Sequence, residues 1–189
     1  MKKLAVVGTH GVGKTTLCKA LADYAKGQGK AVECVGEVIR DCPYPINHNM
    51  NYKACEWAVM EQIRRERTAE RNNPDLIVCD RSAYDPIIYL RNVVLKVIDE
   101  GRGDMLVSLD TLARCYSNYS YDCIVTVRSC ITKIESDGFR DLDMQFHLKV
   151  NKAFLQPTFP SGKKEETIHS CQIFQNPTLV AKDLYECLF

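Results

Sequence analysis

Neither an excess of one charge nor a long apolar run is present in this chain. The 25 Lys and Arg nearly cancel the 24 Asp and Glu, leaving a formal charge of +1. A neutral balance gives no global field to gather a polyanion, so neither nucleic acid nor a membrane is expected as a partner. No stretch reaches the roughly 18 apolar residues of a membrane span. The start, Leu4-Ala5-Val6-Val7, is too short for the apolar region of a signal peptide before Gly8-Thr9-His10-Gly11 interrupts it. Ten cysteines are present, yet none is spaced as Cys-x2-Cys through Cys-x4-Cys, and the four histidines form no short pair. That excludes the usual zinc frameworks. Without export, the cysteines are expected to be reduced, mostly buried thiols of a cytoplasmic protein.

What remains is ordinary globular material: 46% apolar, 26% charged, ten Gly and seven Pro in 189 residues. At about 150 residues per domain, the length predicts a single domain over 1–189. Short apolar runs at Leu4–Val7, Ala31–Val35, Leu76–Cys79 and Tyr121–Val127 read as buried strands, with a fifth at Thr167–Phe174. Between them lie helical patterns at Lys14–Gln28, Tyr52–Asn72, Pro86–Asn118 (broken near Gly101-Arg102-Gly103), Phe146–Leu155 and Thr178–Leu188. The segment 41–51, with Cys42-Pro43-Tyr44-Pro45 and three Asn, reads as a loop. Strands alternating with helices predict an α/β sandwich around a five-stranded parallel sheet.

Gly8-Thr9-His10-Gly11-Val12-Gly13-Lys14-Thr15 matches G-x-x-x-x-G-K-S/T in full, directly after a strand and directly before a helix. Glycines let successive backbone N–H groups turn inward toward phosphate oxygens, and the following helix N-terminus adds positive potential. Gly8, His10, Gly11, Val12, Gly13, Lys14, Thr15 and Thr16 are therefore expected to hold the phosphates of ATP. Lys14 is expected to reach the β- and γ-phosphates, and Thr15 to ligate Mg²⁺.

Such a loop needs a carboxylate on a neighbouring strand, and Asp80 closes Leu76–Asp80 in that position. Glu37, just past the second strand, is a candidate base toward an acceptor hydroxyl. Arg81 is a candidate phosphate clamp. Each has a plainer reading: Asp80 as a helix cap, Glu37 as a solvated loop carboxylate, Arg81 as a surface ion pair. Trp57, Tyr84 and Tyr44 could stack on a base, though Trp57 keeps helical spacing with Met60 and Ile63 and fits a core equally well. The run Arg64-Arg65-Glu66-Arg67 reads as a solvated helix face.

At Asp80-Arg81-Ser82-Ala83-Tyr84-Asp85 the chain resembles deoxynucleoside kinases and, in its Asp-Arg with Ala-Tyr, thymidylate kinases. It is more similar still to P-loop ATPases related to nicotinamide riboside kinase. That likeness includes Trp57, Glu61-Gln62, Arg64-Arg65-Glu66, Tyr121-Asp122 and the segment Asp137-Gly138-Phe139-Arg140-Asp141. The resemblance implies ATP- and Mg²⁺-dependent phosphoryl transfer to a nucleoside, a nucleotide or a similar small ribosyl compound. It also implies Glu37 as base, Asp80 as magnesium carboxylate and Arg81 as phosphate contact. The segment 128–141 would then be a lid whose Arg128 and Arg140 close over the transferring group, which excludes water and stabilises charge together. Whether Glu37 or Asp80 acts as base stays open, as does the acceptor.

The other reading is a nucleotide-binding regulatory ATPase or switch without a small-molecule acceptor. A guanine switch does not fit, because no D-x-x-G occurs and Asn151-Lys152-Ala153-Phe154 lacks the aspartate of N-K-x-D. The long helical stretch at 86–118 is also a candidate face for a homodimer.

Overall fold

The computed structural model describes residues 1–91, 103–134, 142–155 and 164–189. Its centre is a five-stranded sheet, all parallel, in the order β2-β3-β1-β4-β5. The strands are β1 (Lys2–Val7), β2 (Val32–Val35), β3 (Leu76–Asp80), β4 (Cys123–Arg128) and β5 (Lys164–His169). Around them stand α1 (Lys14–Gly27), α2 (Tyr52–Glu70), α3 (Asp85–Arg91), α4 (Gly103–Ser120), α5 (Met144–Phe154), α6 (Ser170–Gln175) and α7 (Pro177–Leu188). Parallel neighbours require crossovers, and here the helices of those crossovers cover both faces.

The two-residue period of β1 divides the core. Leu4 and Val6 face α1 and α7, packing with Leu17, Leu21 and Leu184. Ala5 and Val7 face the other way, into a cluster with Val59, Leu109, Phe146 and Val150 from α2, α4 and α5. Burial on both sides is why these strands are continuous apolar runs rather than alternating ones.

One charge breaks this pattern. Lys3 is buried beneath the sheet, 3.2 Å from Glu66 and 2.5 Å from Glu70. Glu66 also accepts from the hydroxyls of Tyr116 and Tyr121 and from the Gln62 amide. Burial alone would discharge Lys3, but Glu66 and Glu70 raise its pKa above the ordinary lysine value. The paired charges fix α2 against the start of β1, and removing either partner would leave an uncompensated buried ion.

The expected strand at Thr167–Phe174 needs correction. The strand runs Lys164–His169, and Ser170–Gln175 is the short helix α6. A local bond decides it: the Gln172 side chain accepts from the His169 backbone N–H at 2.8 Å, a capping box that starts a helix. Helix α2 ends near its expected limit, and Tyr121 lies just outside β4, with its hydroxyl in the Glu66 network. The expected break near 101–103 falls largely on residues outside those described. Among the described residues, no helix is long and apolar enough to cross a membrane.

The cysteines also depart from expectation. Cys18, Cys55, Cys79 and Cys123 are buried, but Cys34, Cys115, Cys130, Cys171 and Cys187 are exposed. Cys34 is exposed because β2 forms an edge of the sheet and its residues face the core only in part.

Candidate functional site

In an open parallel sheet, ligands bind beyond the carboxyl ends of strands where successive crossovers diverge. Here that point is the end of β1, with β3 on one side and β4 on the other. The loop Gly8–Thr15 occupies it. Gly8, Gly11 and Gly13 all take positive φ, which turns the backbone in the tight curl that L side chains resist. Gly8 has a second constraint: a β-carbon there would lie 2.7 Å from the Val127 carbonyl oxygen. The loop is thus pressed directly against β4.

Lys14 opens α1 and folds back over this loop, its ammonium donating to the Thr9 carbonyl at 2.6 Å. Burial, then repulsion from Arg81, lowers its pKa to about 8, although Asp80, Glu37 and Asp85 pull the other way. Next to it, the Thr15 hydroxyl donates to Asp80 Oδ2. The other oxygen, Oδ1, is buried and has no hydrogen-bond partner among the described residues. A buried carboxylate oxygen without a donor is a site that a cation or its bound water can complete. Thr15 and Asp80 therefore fit a Mg²⁺ ion. Among the described residues no three His, Cys, Asp or Glu converge on a metal site, so such an ion would need phosphate oxygens as further ligands.

The turn after β3 is held more firmly. Arg81 is a non-glycine residue at φ +91°, a conformation that costs about 1–3 kcal/mol and survives only when its surroundings impose it. Those surroundings are explicit. Its guanidinium donates to Glu37 at 2.6 Å and lies 3.4 Å from both the Gly8 carbonyl and Asp85 Oδ2. Its backbone N–H donates to Val6 and its carbonyl accepts from Gln62. Asp85 fastens the same turn through the Ser82 N–H and hydroxyl, at 3.1 and 2.7 Å. Burial raises the Asp85 pKa, against the pull of Arg81 and Ser82.

Glu37 has both carboxylate oxygens engaged, one by Arg81 and the other by Arg40 Nε at 2.8 Å. Burial favours its neutral form, but Arg81, Lys14 and Arg40 overcome this and hold its pKa well below the usual carboxylate range. Glu37 is an anion whose orientation is set.

Two cavities meet here. The smaller, about 420 Å³, is lined by His10–Thr16 together with Glu37, Arg40 and Arg81. The larger, about 670 Å³, runs on past Val38, Met50, Gln62, Asp85 and Tyr89. His10, Glu37, Arg40 and Arg81 line both and form the wall between them.

A family model described as AAA domain matches residues 3–157, which span the loop, both cavities and the sheet up to β4 and α5. The chain belongs to the AAA domain family. Among solved structures, deoxyadenosine kinase from M. mycoides with bound dATP is similar at a TM-score of 0.60 and 17% identity, covering 98% of this chain and 100% of that one. At that identity the likeness concerns the fold, which is that of a P-loop kinase. No curated protein matches significantly.

Within this AAA domain the expected site residues are largely brought together. His10, Gly11, Val12, Gly13, Lys14, Thr15 and Thr16 line the smaller cavity, Gly8 lies against β4 without lining it, and Asp80 meets Thr15. Arg81 and Glu37 form one buried pair, so the surface ion pair and the solvated carboxylate are both set aside. Arg128 ends β4, exposed, and is not among the residues that line either cavity. Arg140, like 135–141 as a whole, lies outside the described residues. Trp57, Tyr44 and Tyr84 are not among the cavity-lining residues; the Tyr84 hydroxyl instead donates to Asp110. Tyr89 is the aromatic that lines the larger cavity, with the Arg81 guanidinium 5.3 Å from its ring centre.

Several contributors carry no motif. Arg40 lies in a proline- and asparagine-rich neighbourhood, Tyr89 on α3, and His147 on α5. The His147 ring is buried behind the loop, 4.9 Å from the His10 ring, with Ser129 Oγ 2.8 Å from its Nε2. Burial, then Lys14, lowers its pKa, so it sits there neutral. Gln62 and Asp85 were signalled, the first within the Glu61-Gln62 resemblance and the second as the last residue of the Asp80–Asp85 motif.

Proposed function

We propose that this AAA domain protein transfers the γ-phosphoryl group of ATP to a hydroxyl of a nucleoside, a nucleotide or a similar small ribosyl metabolite. One observation carries the proposal: a polar cavity lined by the phosphate loop and a mainly apolar cavity share the wall His10, Glu37, Arg40 and Arg81. A regulatory ATPase needs the first cavity but has no use for the second. The likeness to deoxyadenosine kinase supports the same class of acceptor.

In this reading the loop N–H groups and Lys14 bind the β- and γ-phosphates. Mg²⁺, held by Thr15, Asp80 and phosphate oxygens, would offset charge on the transferring group. Arg81 faces the transferring phosphoryl from the shared wall, and Arg40 adds a second guanidinium there. Glu37 accepts a hydrogen bond from the acceptor hydroxyl and aligns it. A strong base is unnecessary, because phosphoryl transfer passes through a loose transition state in which positioning and charge stabilisation dominate. The segment 128–141, with Arg128 and Arg140, serves as the lid, and residues 1–189 act as one domain. The test is a panel of nucleosides, nucleoside monophosphates and nicotinamide riboside with γ-labelled ATP. Label transferred to one of them supports the reading; tight ATP binding with no transfer to any supports the regulatory ATPase instead.

A further inference from the structure

Beyond the cavities, one pair of nucleophilic side chains converges at the opposite edge of the phosphate loop. Strands β4 and β5 run in register with Arg128 beside His169. Cys130 and Cys171 each lie two residues further on, and the rung between them is kept by the Cys130 N–H donating to Ser170 Oγ at 2.8 Å. Parallel neighbours stand about 4.8 Å apart, inside the range of Cα separations that a disulfide spans. The two sulfurs are 3.5 Å apart and both cysteines are exposed. His169 Nδ1 lies 3.6 Å from Cys130 Sγ. The Cys171 backbone N–H, followed by His169, the Cys171 thiol and Ser170, lowers the Cys130 pKa to about 7.

Cys130 precedes Ile131, and Cys171 stands two residues before Ile173; both isoleucines lie close to the loop. A β-carbon on Gly11 would lie 3.4 Å from Ile131, and one on Gly13 would lie 3.2 Å from both Ile173 and Phe174. The segments bearing the two thiols therefore lie beside the loop at two of its glycines. We propose that Cys130 and Cys171 form a reversible intramolecular disulfide that clamps these two segments and stiffens the phosphate loop against nucleotide entry. Closing the bond shortens the sulfur separation to about 2 Å, drawing Ile131 and Ile173 toward each other across the loop.

The oxidant is a low-molecular-weight disulfide, RSSR. The Cys130 thiolate attacks one sulfur of RSSR, forming Cys130–S–SR and releasing RS⁻, which takes up the proton that Cys130 had lost. The Cys171 thiol then gives up its proton and its sulfur attacks Cys130 Sγ. The Cys130–SR bond breaks, and the departing RS⁻ takes the second proton. Two protein thiols are oxidised and one RSSR becomes two RSH. A dithiol such as dithiothreitol reverses both steps.

The disulfide stands on the thiol geometry, whereas its effect on binding rests on the nucleotide-site reading above. The full chain is treated with oxidised glutathione, digested without reduction and mapped by mass, while ATP affinity is measured before and after. The expected result is a Cys130–Cys171 cross-linked peptide, ATP affinity lowered about fivefold or more, and recovery with dithiothreitol. Cys130→Ser and Cys171→Ser proteins should bind ATP as the reduced protein does and form no cross-link with the oxidant, Cys171→Ser stopping at a Cys130–glutathione mixed disulfide. Separate glutathione adducts without the cross-link overturn the disulfide. A complete cross-link with unchanged ATP affinity overturns the clamp. If the reduced protein itself fails to bind ATP, the nucleotide-site reading fails, and the mapped cross-link still decides the disulfide.

Discussion

The Thr15 hydroxyl meets the Asp80 carboxylate at 2.5 Å, joining the first turn of α1 to the end of β3 across 65 residues of chain. The bond uses one carboxylate oxygen and leaves the other buried without a donor.

Asp80→Asn keeps the shape and the contact with Thr15 but removes the charge. Phosphoryl transfer should fall about 100-fold or more, the scale of losing one electrostatic contact to the transition state. The Mg²⁺ concentration needed for half-maximal rate should rise. Thermal stability should change little, since Oδ1 has no protein partner to lose. A Mg²⁺ titration at fixed ATP checks this; an unshifted midpoint would remove Asp80 from the metal site.

Lys14→Met should abolish turnover, and its effect on stability should depend on pH. The lysine pKa is depressed from 10.5 to about 8 in the folded chain. Between those values the unfolded chain binds more protons, so this group makes the native protein more stable as pH rises. Below pH 8 the lysine is charged in both states, and holding that charge in the folded chain costs a net of about 3 kcal/mol. The methionine variant should therefore be the more stable near pH 7, with the difference narrowing toward pH 10. Denaturant titrations at the two pH values measure it.

ATP affinity should follow the same group. The bound phosphates favour the charged amine and raise its pKa in the complex. Affinity is then level below pH 8 and declines above it, where the phosphates themselves are fully ionised. Calorimetry in two buffers of different ionisation enthalpy should show proton uptake near pH 8 in the wild type. Proton uptake that persists in Lys14→Met would assign it elsewhere.

Gly8→Ala and Gly27→Ala form a contrasting pair. At Gly8 the new β-carbon meets a backbone oxygen at 2.7 Å and the φ is +140°, so neither space nor conformation admits it. A loss of about 2 kcal/mol or more is expected, with weakened ATP binding. Gly27 ends α1 in open space, and alanine there should be neutral or stabilising by up to about 1 kcal/mol. Thermal denaturation of both proteins checks the contrast.

Arg81→Lys retains a positive charge but not the planar fork that reaches Glu37, Gly8 and Asp85 together. We expect kcat to fall about 100-fold with KM for ATP nearly unchanged, because the contact matters when charge develops on the transferring group. A rise in KM for ATP at constant kcat would make Arg81 a ground-state binding residue instead.

The sequence exposed those parts of the site where backbone geometry demands particular residues. Gly8, Gly11 and Gly13 must take positive φ, and Lys14 and Thr15 follow them at fixed offsets, so the loop was legible in full. Asp80 was legible because it closes an apolar strand. Arg40 and Tyr89 were not, because their convergence depends on how α3 and the 36–50 segment pack, which local spacing does not encode. The fifth strand was read too long because Ile168 and Ile173 suggest continued burial, while a single side-chain bond between Gln172 and His169 turns the chain into a helix. Pairing of the cysteines at 130 and 171 depends on strand register, which a separation of 41 positions conceals.

The ammonium of Lys14 rests on the Thr9 carbonyl, so the phosphate loop already holds an internal substitute for its ligand. Entry of a phosphate is an exchange, in which the amine must leave one oxygen before it serves another. A lone inorganic phosphate offers little surplus over the bond it displaces, whereas a nucleotide brings further contacts along its length. The loop should therefore discriminate strongly by ligand size. Small-molecule screens against the rigid resting shape would overlook the ligands that open it.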